Sequence, residues 1–395
     1  MSPARVPGTP RLLRALNDRA ALELLLTRGP LTRAQLGELT GLSKVTASQL
    51  VERLEERGLV TRVGEQAGGR GPNAQMYAVV PQTAYVVGVD VGPQHVLAAA
   101  ADITGTIVGR TDVQIADSDE PVKVVHAAVV EAAQAAGANL SRVRRVVLGT
   151  PGLVDPVTGE ISFAWDLPRW HRGLLAALRA DLKRPVVFEN DVNLAAVAEA
   201  HSGAARGVSD FVLVWVGRGV GTAVVLGGKL HRGATGAAGE IGYLPVPGSP
   251  VPRDVSRRAK GSFQQLTGAD AVRAVAREHG FRASTAADAV RAVIAAGTAG
   301  GPVLDELARR LALGVVGISV VLDPSLVVLA GDIGQAGGTA LAQRVQHEVA
   351  AIAPVSPRVV ASEVPEEPVL QGALLTGLEA VREEVFGSTI DAEQR

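Results

Sequence analysis

The chain is 395 residues long, beyond the roughly 250–300 residues at which a single core stops growing, so more than one domain is expected. Hydrophobic residues make up 47% of it and charged residues 20%, which excludes a largely disordered chain. The absence of cysteine excludes disulfides, thiolate zinc sites, iron–sulfur clusters and a cysteine nucleophile. The formal charge of -1 hides an asymmetry: residues 1–80 hold 11 basic and 7 acidic side chains, a net of +4, so the remainder carries -5. No signal peptide is read at the start, where charged residues interrupt the first leucines. The longest apolar run, Leu311 to Leu322, stops at Asp323-Pro324, short of the roughly 18–20 residues that span a bilayer. A soluble cytoplasmic protein with no membrane partner is expected.

From Asn17 onward the apolar period is close to 3.6, and three short helices are expected. The first, capped by Asn17, would bury Ala20, Ala21, Leu24 and Leu25 and end at Gly29-Pro30. Thr32 with Gln35 is a capping-box pattern opening the second; Gly41 closes it in a left-handed conformation, and Ser43 caps a third that reaches about Arg57. In that third helix Ala47, Leu50, Val51 and Leu54 fall at i, i+3, i+4 and i+7 and form the buried face. The outward side, with Ser43, Lys44, Val45, Ser48, Gln49 and Arg53, suits the major groove of DNA. Gln bonds adenine bidentately, Lys reaches guanine and Val meets a thymine methyl. An ordinary solvated face is the bland alternative, and the hairpin that follows weighs against it. Leu59 to Val63 and Ala74 to Val79 alternate around a glycine-rich tip, forming a wing. Arg62 on its strand and Arg70 at its tip are placed for phosphates or the minor groove.

After Pro81 the pattern changes. Tyr85 to Gly92, His95 to Ala101 and Gly105 to Val113 read as three consecutive strands, and the arrangement recurs from Phe211 to the turn at Gly227-Gly228, which implies two similar lobes around a cleft. Between them lie an alanine-rich helix (120–136), a strand running into Thr150-Pro151-Gly152, a helix near 172–182 and a strand ending in Glu189-Asn190-Asp191. Helices near 262–279, 284–296 and 302–322 follow, then a strand ending at Gly331-Asp332. Open α/β sheets bind ligands beyond the carboxyl ends of their strands, where Asp90, Pro151-Gly152 and Asn190-Asp191 fall. The expected division is a winged helix-turn-helix domain over 1–80 and a two-lobed effector-binding and dimerisation domain over 81–395. One lobe would hold about 81–200 plus the C-terminal helix, the other about 201–380.

The chain resembles the ROK family (repressors, open reading frames and sugar kinases), in the branch with an N-terminal winged helix. The stretches that carry the resemblance are the GLSKVT turn, GVDVG at 88–92, PGLVD at 151–155, ENDVN at 189–193, GAAGEIGY at 236–243 and LDPSLVVLAG at 322–331. The resemblance implies an all-α/winged helix N-terminal domain followed by a duplicated α/β, actin-like (RNase H-like) body of sugar-kinase type. In the kinase members that body binds ATP in one half of the cleft and a hexose in the other. Their first phosphate loop reads Asp-x-Gly-Gly-Thr-Lys; here Asp90-Val91-Gly92 runs into Pro93-Gln94-His95, and Arg218 stands in the second loop where the family has a small residue.

No kinase activity, cofactor or metal is therefore expected, and Asp191, which matches the family's catalytic base, is expected only to read ligand hydroxyls together with Asn190. Gly152 would bring backbone close to the sugar, and Glu240 would join from the second motif. The family places a histidine, a cysteine-rich zinc loop and a sugar-binding glutamate next. This chain has Tyr243, four prolines between 245 and 252, and Gln264 instead, so Tyr243 and Gln264 complete the expected pocket. Trp165 and Trp170 either stack on the sugar or pack. The expected function is a sugar-responsive transcriptional regulator, a repressor of carbohydrate-utilisation genes, acting as a homodimer on an operator in double-stranded DNA. Pairing of dimers into tetramers is left open. The alternative is an ATP-dependent sugar kinase carrying a DNA-binding module.

Overall fold

The computed structural model describes residues 10–67, 73–116, 120–163, 173–253, 260–354, 357–364 and 366–387. Its first helix, α1 (Pro10–Arg28), begins well before Asn17, which lies inside it rather than at its cap. The reason is a longer inward face: Ala15, Asp18, Leu22 and Leu25, spaced i, i+3, i+7 and i+10, are all buried. The short strand β1 (Leu31–Thr32) leads into α2 (Arg33–Thr40) through a complete capping box. Thr32 Oγ1 accepts from the Gln35 amide at 3.2 Å and Gln35 Oε1 from the Thr32 amide at 2.9 Å. Gly41, at φ 71°, ends α2 in the left-handed region, and Ser43 then caps α3 (Lys44–Glu56) by accepting from the Thr46 amide. Strands β2 (Val60–Gln66) and β3 (Ala74–Val79) form the antiparallel wing, with sheet order β1-β3-β2.

The body contains one sheet pattern twice. In the first lobe β4 (Tyr85–Val91), β5 (His95–Asp102) and β6 (Ile107–Gln114) run antiparallel. Beyond α4 (Pro121–Ala135), β7 (Val143–Thr150) pairs parallel to β4. A small ribbon of β8 (Leu153–Val154) and β9 (Ile161–Phe163) and helix α5 (Leu174–Leu182) precede β10 (Val186–Asn190), parallel to β7; α6 (Asp191–Ser202) follows at once. In the second lobe β11 (Phe211–Val216), β12 (Val220–Leu226) and β13 (Lys229–Leu230) are antiparallel. Helices α7 (Phe263–Thr267), α8 (Ala269–Glu278), α9 (Ala286–Ala295) and α10 (Gly301–Leu322) lead to β14 (Leu326–Ala330), then α11 (Gly331–Ile352) and β15 (Arg358–Ala361). The strand orders, β6-β5-β4-β7-β10 and β13-β12-β11-β14-β15, match strand for strand. The expected helix over 262–279 is two helices, broken at Gly268, whose position lies against the Gln264 side chain.

The last helix, α12 (Pro368–Gly387), returns to the first lobe and covers the face of its sheet opposite α4. It also closes the core of the winged-helix module. Leu370, Leu374, Leu378, Val381 and Phe386 share one buried cluster with Leu22 and Leu25 of α1, Leu50 and Leu54 of α3, and Val86 and Ala99 of the sheet. Helix α6 is buried between the lobes, with Ala195 and Ala196 against the second sheet and Leu194 against Val147, Val369 and Ala373. α6 and α12 cross so closely that a Cβ at Gly372 would stand 1.9 Å from the Leu194 carbonyl oxygen. Gly372→Ala therefore forces backbone apart in a packed core, and a loss of about 1–3 kcal/mol or more in urea unfolding is expected. Wild-type stability would contradict the tight crossing.

Candidate functional site: a DNA-facing helix and an interlobe cleft

α3 and its cap expose Ser43, Lys44, Val45, Thr46, Gln49, Glu52 and Glu56, with Ser48 half-buried; Val45 is 68% exposed. Arg53 does not belong to this surface. Its Nε donates to Asp18 Oδ2 at 3.2 Å and its Nη2 to Oδ1, and Arg57 approaches the same carboxylate at 3.7 Å. Asp18 is fully buried, so Arg53 compensates an interior charge and holds α3 on α1. Arg62 is exposed on the wing strand, where it pairs with Glu55 at 3.0 Å. Arg70 lies outside the described residues, as do Trp165 and Trp170.

Between the lobes is a cavity of about 490 Å³. Of the residues expected to bind sugar, Gly152, Asn190, Asp191 and Glu240 line it together. Asn190 caps α6 by accepting from the Asn193 amide at 3.1 Å, and its Nδ2 donates to the Gly152 carbonyl at 3.0 Å, fixing the PGLVD loop against the helix. Asp191 Oδ1 accepts from the Val192 amide at 2.8 Å. Glu189, just before them, is buried and bonds the Asn193 side chain on its own lobe. It also accepts from Arg232 of the second lobe at 2.8 and 2.6 Å, which ties the lobes together beside the cleft.

Two expected residues are elsewhere. Gln264 Oε1 accepts from the Val220 amide at 2.8 Å and its Nε2 donates to the Arg218 carbonyl at 3.1 Å, so it braces the 217–221 loop from behind. Tyr243 ends a short 3-10 turn and does not line the cavity. The proline-rich segment after it is closed by backbone: the Phe263 amide donates to Leu244 O and the Val246 amide to Gly261 O, both at 2.8 Å. Among the described residues no group of histidines and carboxylates is arranged to hold a metal.

The cavity adds Trp215 and Asp332 to the expected set. Trp215 is in β11 and reads as a core residue by pattern; Asp332 stands at the start of α11, beyond the end of β14. Burial, then Asp191 and Glu367 nearby, push the Asp90 carboxyl up to about 7. Burial also raises Asp332, against hydrogen bonds from backbone amides at the start of α11. In the first loop the Gly92 amide donates to His95 O at 2.9 Å. The imidazole covers the glycine, so that a Cβ there would meet it at 2.9 Å.

A second cavity, of about 460 Å³, lies where the winged-helix module meets the body. It is lined by Arg19, Glu23 and Leu26 of α1, by Val197 and His201 near the end of α6, and by Glu379, Arg382 and Phe386 near the end of α12. The opposite ends of the same two helices line the interlobe cavity, with Asp191 and Val192 on α6 and Pro368 and Val369 on α12. Arg57 Nη2 donates to the Val385 carbonyl at 3.4 Å, joining the end of α3 to the end of α12.

Residues 86–378 match the ROK family and residues 16–71 the MarR family. The DNA-binding transcriptional dual regulator NagC of Escherichia coli (strain K12) is 27% identical over 242 residues, 60% of this chain and 59% of that protein. The xylose repressor of Bacillus subtilis (strain 168) is 26% identical over 241 residues, 59% of this chain and 61% of that one. The chain thus spans about three fifths of the length of these curated relatives. A solved ROK family transcriptional regulator, described as a homolog of the E. coli MLC protein, shares the fold with a TM-score of 0.73 at 20% identity, covering 96% of this chain and 99% of that one. A ROK hexokinase from Thermus thermophilus gives 0.62 at 27% identity over 76% and 99%. No helix among the described residues is long and apolar enough to cross a membrane. With the family match covering most of the chain and both sheets of the body, the protein belongs to the ROK family.

Proposed function

We propose that the protein is a cytoplasmic, sugar-responsive transcriptional regulator, a repressor that binds a pseudo-palindromic operator as a homodimer and is released by a carbohydrate in the interlobe cleft. The observation that carries this reading is that α6 and α12 begin at the cleft, that α12 ends packed on the winged-helix module, and that α6 ends at the cavity beside that module. At 1.5 Å per residue they reach about 18 and 30 Å, far enough to link the two places as rigid rods. A ligand that favours one arrangement of the helix starts also favours one seating of α1 and α3, by as much as its affinities for the two arrangements differ. Ser43, Lys44, Val45, Ser48 and Gln49 would read base edges, with Arg62 on the backbone beside them. Gly152, Asn190, Asp191 and Glu240 would read sugar hydroxyls, beside the indole of Trp215.

The position of Asp191 at the cleft favours a second reading, an ATP-dependent sugar kinase with an attached DNA-binding module. The first loop weighs against it: the Gly92 amide is engaged by His95 O, and the imidazole lies where a phosphate would need to approach the backbone. An ATP-dependent assay on a hexose panel separates the two, and robust turnover would favour the kinase.

Lys44→Ala and Gln49→Ala should each weaken operator binding by about 1–3 kcal/mol in a fluorescence-anisotropy titration while sugar-dependent thermal stabilisation persists. Unchanged operator affinity would remove α3 from the interface. Asp191→Ala should bind operator normally and no longer release it when sugar is added; normal release would place the effector elsewhere. The buried Asp90 makes stability pH-dependent. With its folded pKa raised from 3.8 to about 7, the native state keeps a proton that the unfolded chain gives up. Stability therefore falls as pH rises through that window. Asp90→Asn should flatten the melting temperature between about pH 4 and 7 and raise it above that range, and a variant with the wild-type slope would contradict this.

A further inference from the structure

Three helices start at the cleft, and a helix start is ordinarily where a protein binds phosphate, because free amides and the positive end of the helix dipole converge there. In this chain each start carries a carboxylate of its own. Asp191 opens α6 and accepts from the Val192 amide at 2.8 Å. Asp332, in the first turn of α11, takes hydrogen bonds from the amides of Ile333 and Asp332. Glu367 directly precedes α12, whose first residue, Pro368, has no amide hydrogen to offer. Glu240 adds a carboxylate from the second lobe. Arginine enters the lining once, as Arg218; Arg232 nearby is bound to Glu189, and Arg110 pairs with Glu367 at 2.9 Å outside the lining. The Gly92 amide of the first loop is taken by His95 O.

We infer that the cleft is built to exclude phosphate, so that its effector is an unphosphorylated sugar rather than a sugar phosphate. This rests on the sugar-binding reading of the cleft. A phosphate monoester carries about -1.5 to -2 charge at neutral pH and needs amide or arginine donors to replace its water. Here, at the starts of α6 and α11, it would meet carboxylates already holding those amides. A neutral sugar meets the same groups as hydrogen-bond acceptors for its hydroxyls. Asp90, buried deep in the cleft, is raised first by its burial and then by the negative charge of Asp191 and Glu367.

The test is calorimetric titration of the full chain with D-xylose, D-glucose and N-acetylglucosamine, and with glucose 6-phosphate and N-acetylglucosamine 6-phosphate. At least one free sugar should bind, and its phosphate ester should bind on the order of 100-fold more weakly, a gap that salt narrows. Asp332→Asn, which keeps the side chain's size and removes its charge, should shrink the gap at least about tenfold by strengthening the ester. An ester that binds as tightly as its free sugar overturns the inference while leaving the sugar-binding reading intact. A gap unchanged in Asp332→Asn overturns the assigned cause. If neither sugars nor esters bind, the sugar-binding reading itself fails and this inference falls with it.

Discussion

The close crossing of α6 and α12 is the contact on which the other parts of the molecule depend. Gly372 lies against the Leu194 carbonyl because no side chain fits between the helices there, and that approach brings Leu194, Val369 and Ala373 into one small core with Val147 of the first sheet. α6 is at once the helix that follows ENDVN and the helix that packs on the second sheet, so the pair belongs to both lobes. Interiors packed this tightly do not deform continuously; they shift between discrete arrangements. Under the proposed function, a change at the cleft end of the pair would be carried to its far end.

At that far end the winged-helix module is not joined by a slack linker. Its leucines share a buried cluster with Phe386 and Leu378 of α12, and Arg57 bonds the last turn of that helix. Inside the module, the buried carboxylate of Asp18 draws Arg53 and Arg57 inward and fixes α3 on α1. Such a pair adds little net stability compared with an apolar replacement, but it sets the orientation of the helix it holds. The mixed ion pairs and the cavity of about 460 Å³ at the seam contrast with this firm seat. An interface with both a shared core and a void can reseat without coming apart.

What was legible in the sequence was what local rules govern. The capping box at Thr32 and Gln35, the left-handed Gly41, the Ser43 cap and the buried face of α3 each depend on residues within a turn or two, and each is present. The duplicated strands were legible because a repeat needs only comparison of the chain with itself. The Asp18–Arg53 clamp was not, since it joins residues 35 apart and nothing local marks either partner. Tyr243 and Gln264 were misplaced because motif alignment gives a position along the chain but not a side-chain direction; Gln264 turns to the backbone of the 217–221 loop. Trp215 was hidden by its strand, where an aromatic residue reads as core. Asp332 had a usable signal. It follows the carboxyl end of β14 as Asp191 follows that of β10, and the rule that drew attention to one applied to the other.

If the α6–α12 pair carries the state of the cleft to the winged-helix module, amide hydrogen exchange with and without a sugar that stabilises the protein will show it. Protection should change in three places at once: the cleft loops, the far turns of α6 and α12 around His201 and Arg382, and α1 of the winged-helix module. Changes confined to the cleft loops, with α1 and the ends of both helices unaffected, would contradict it.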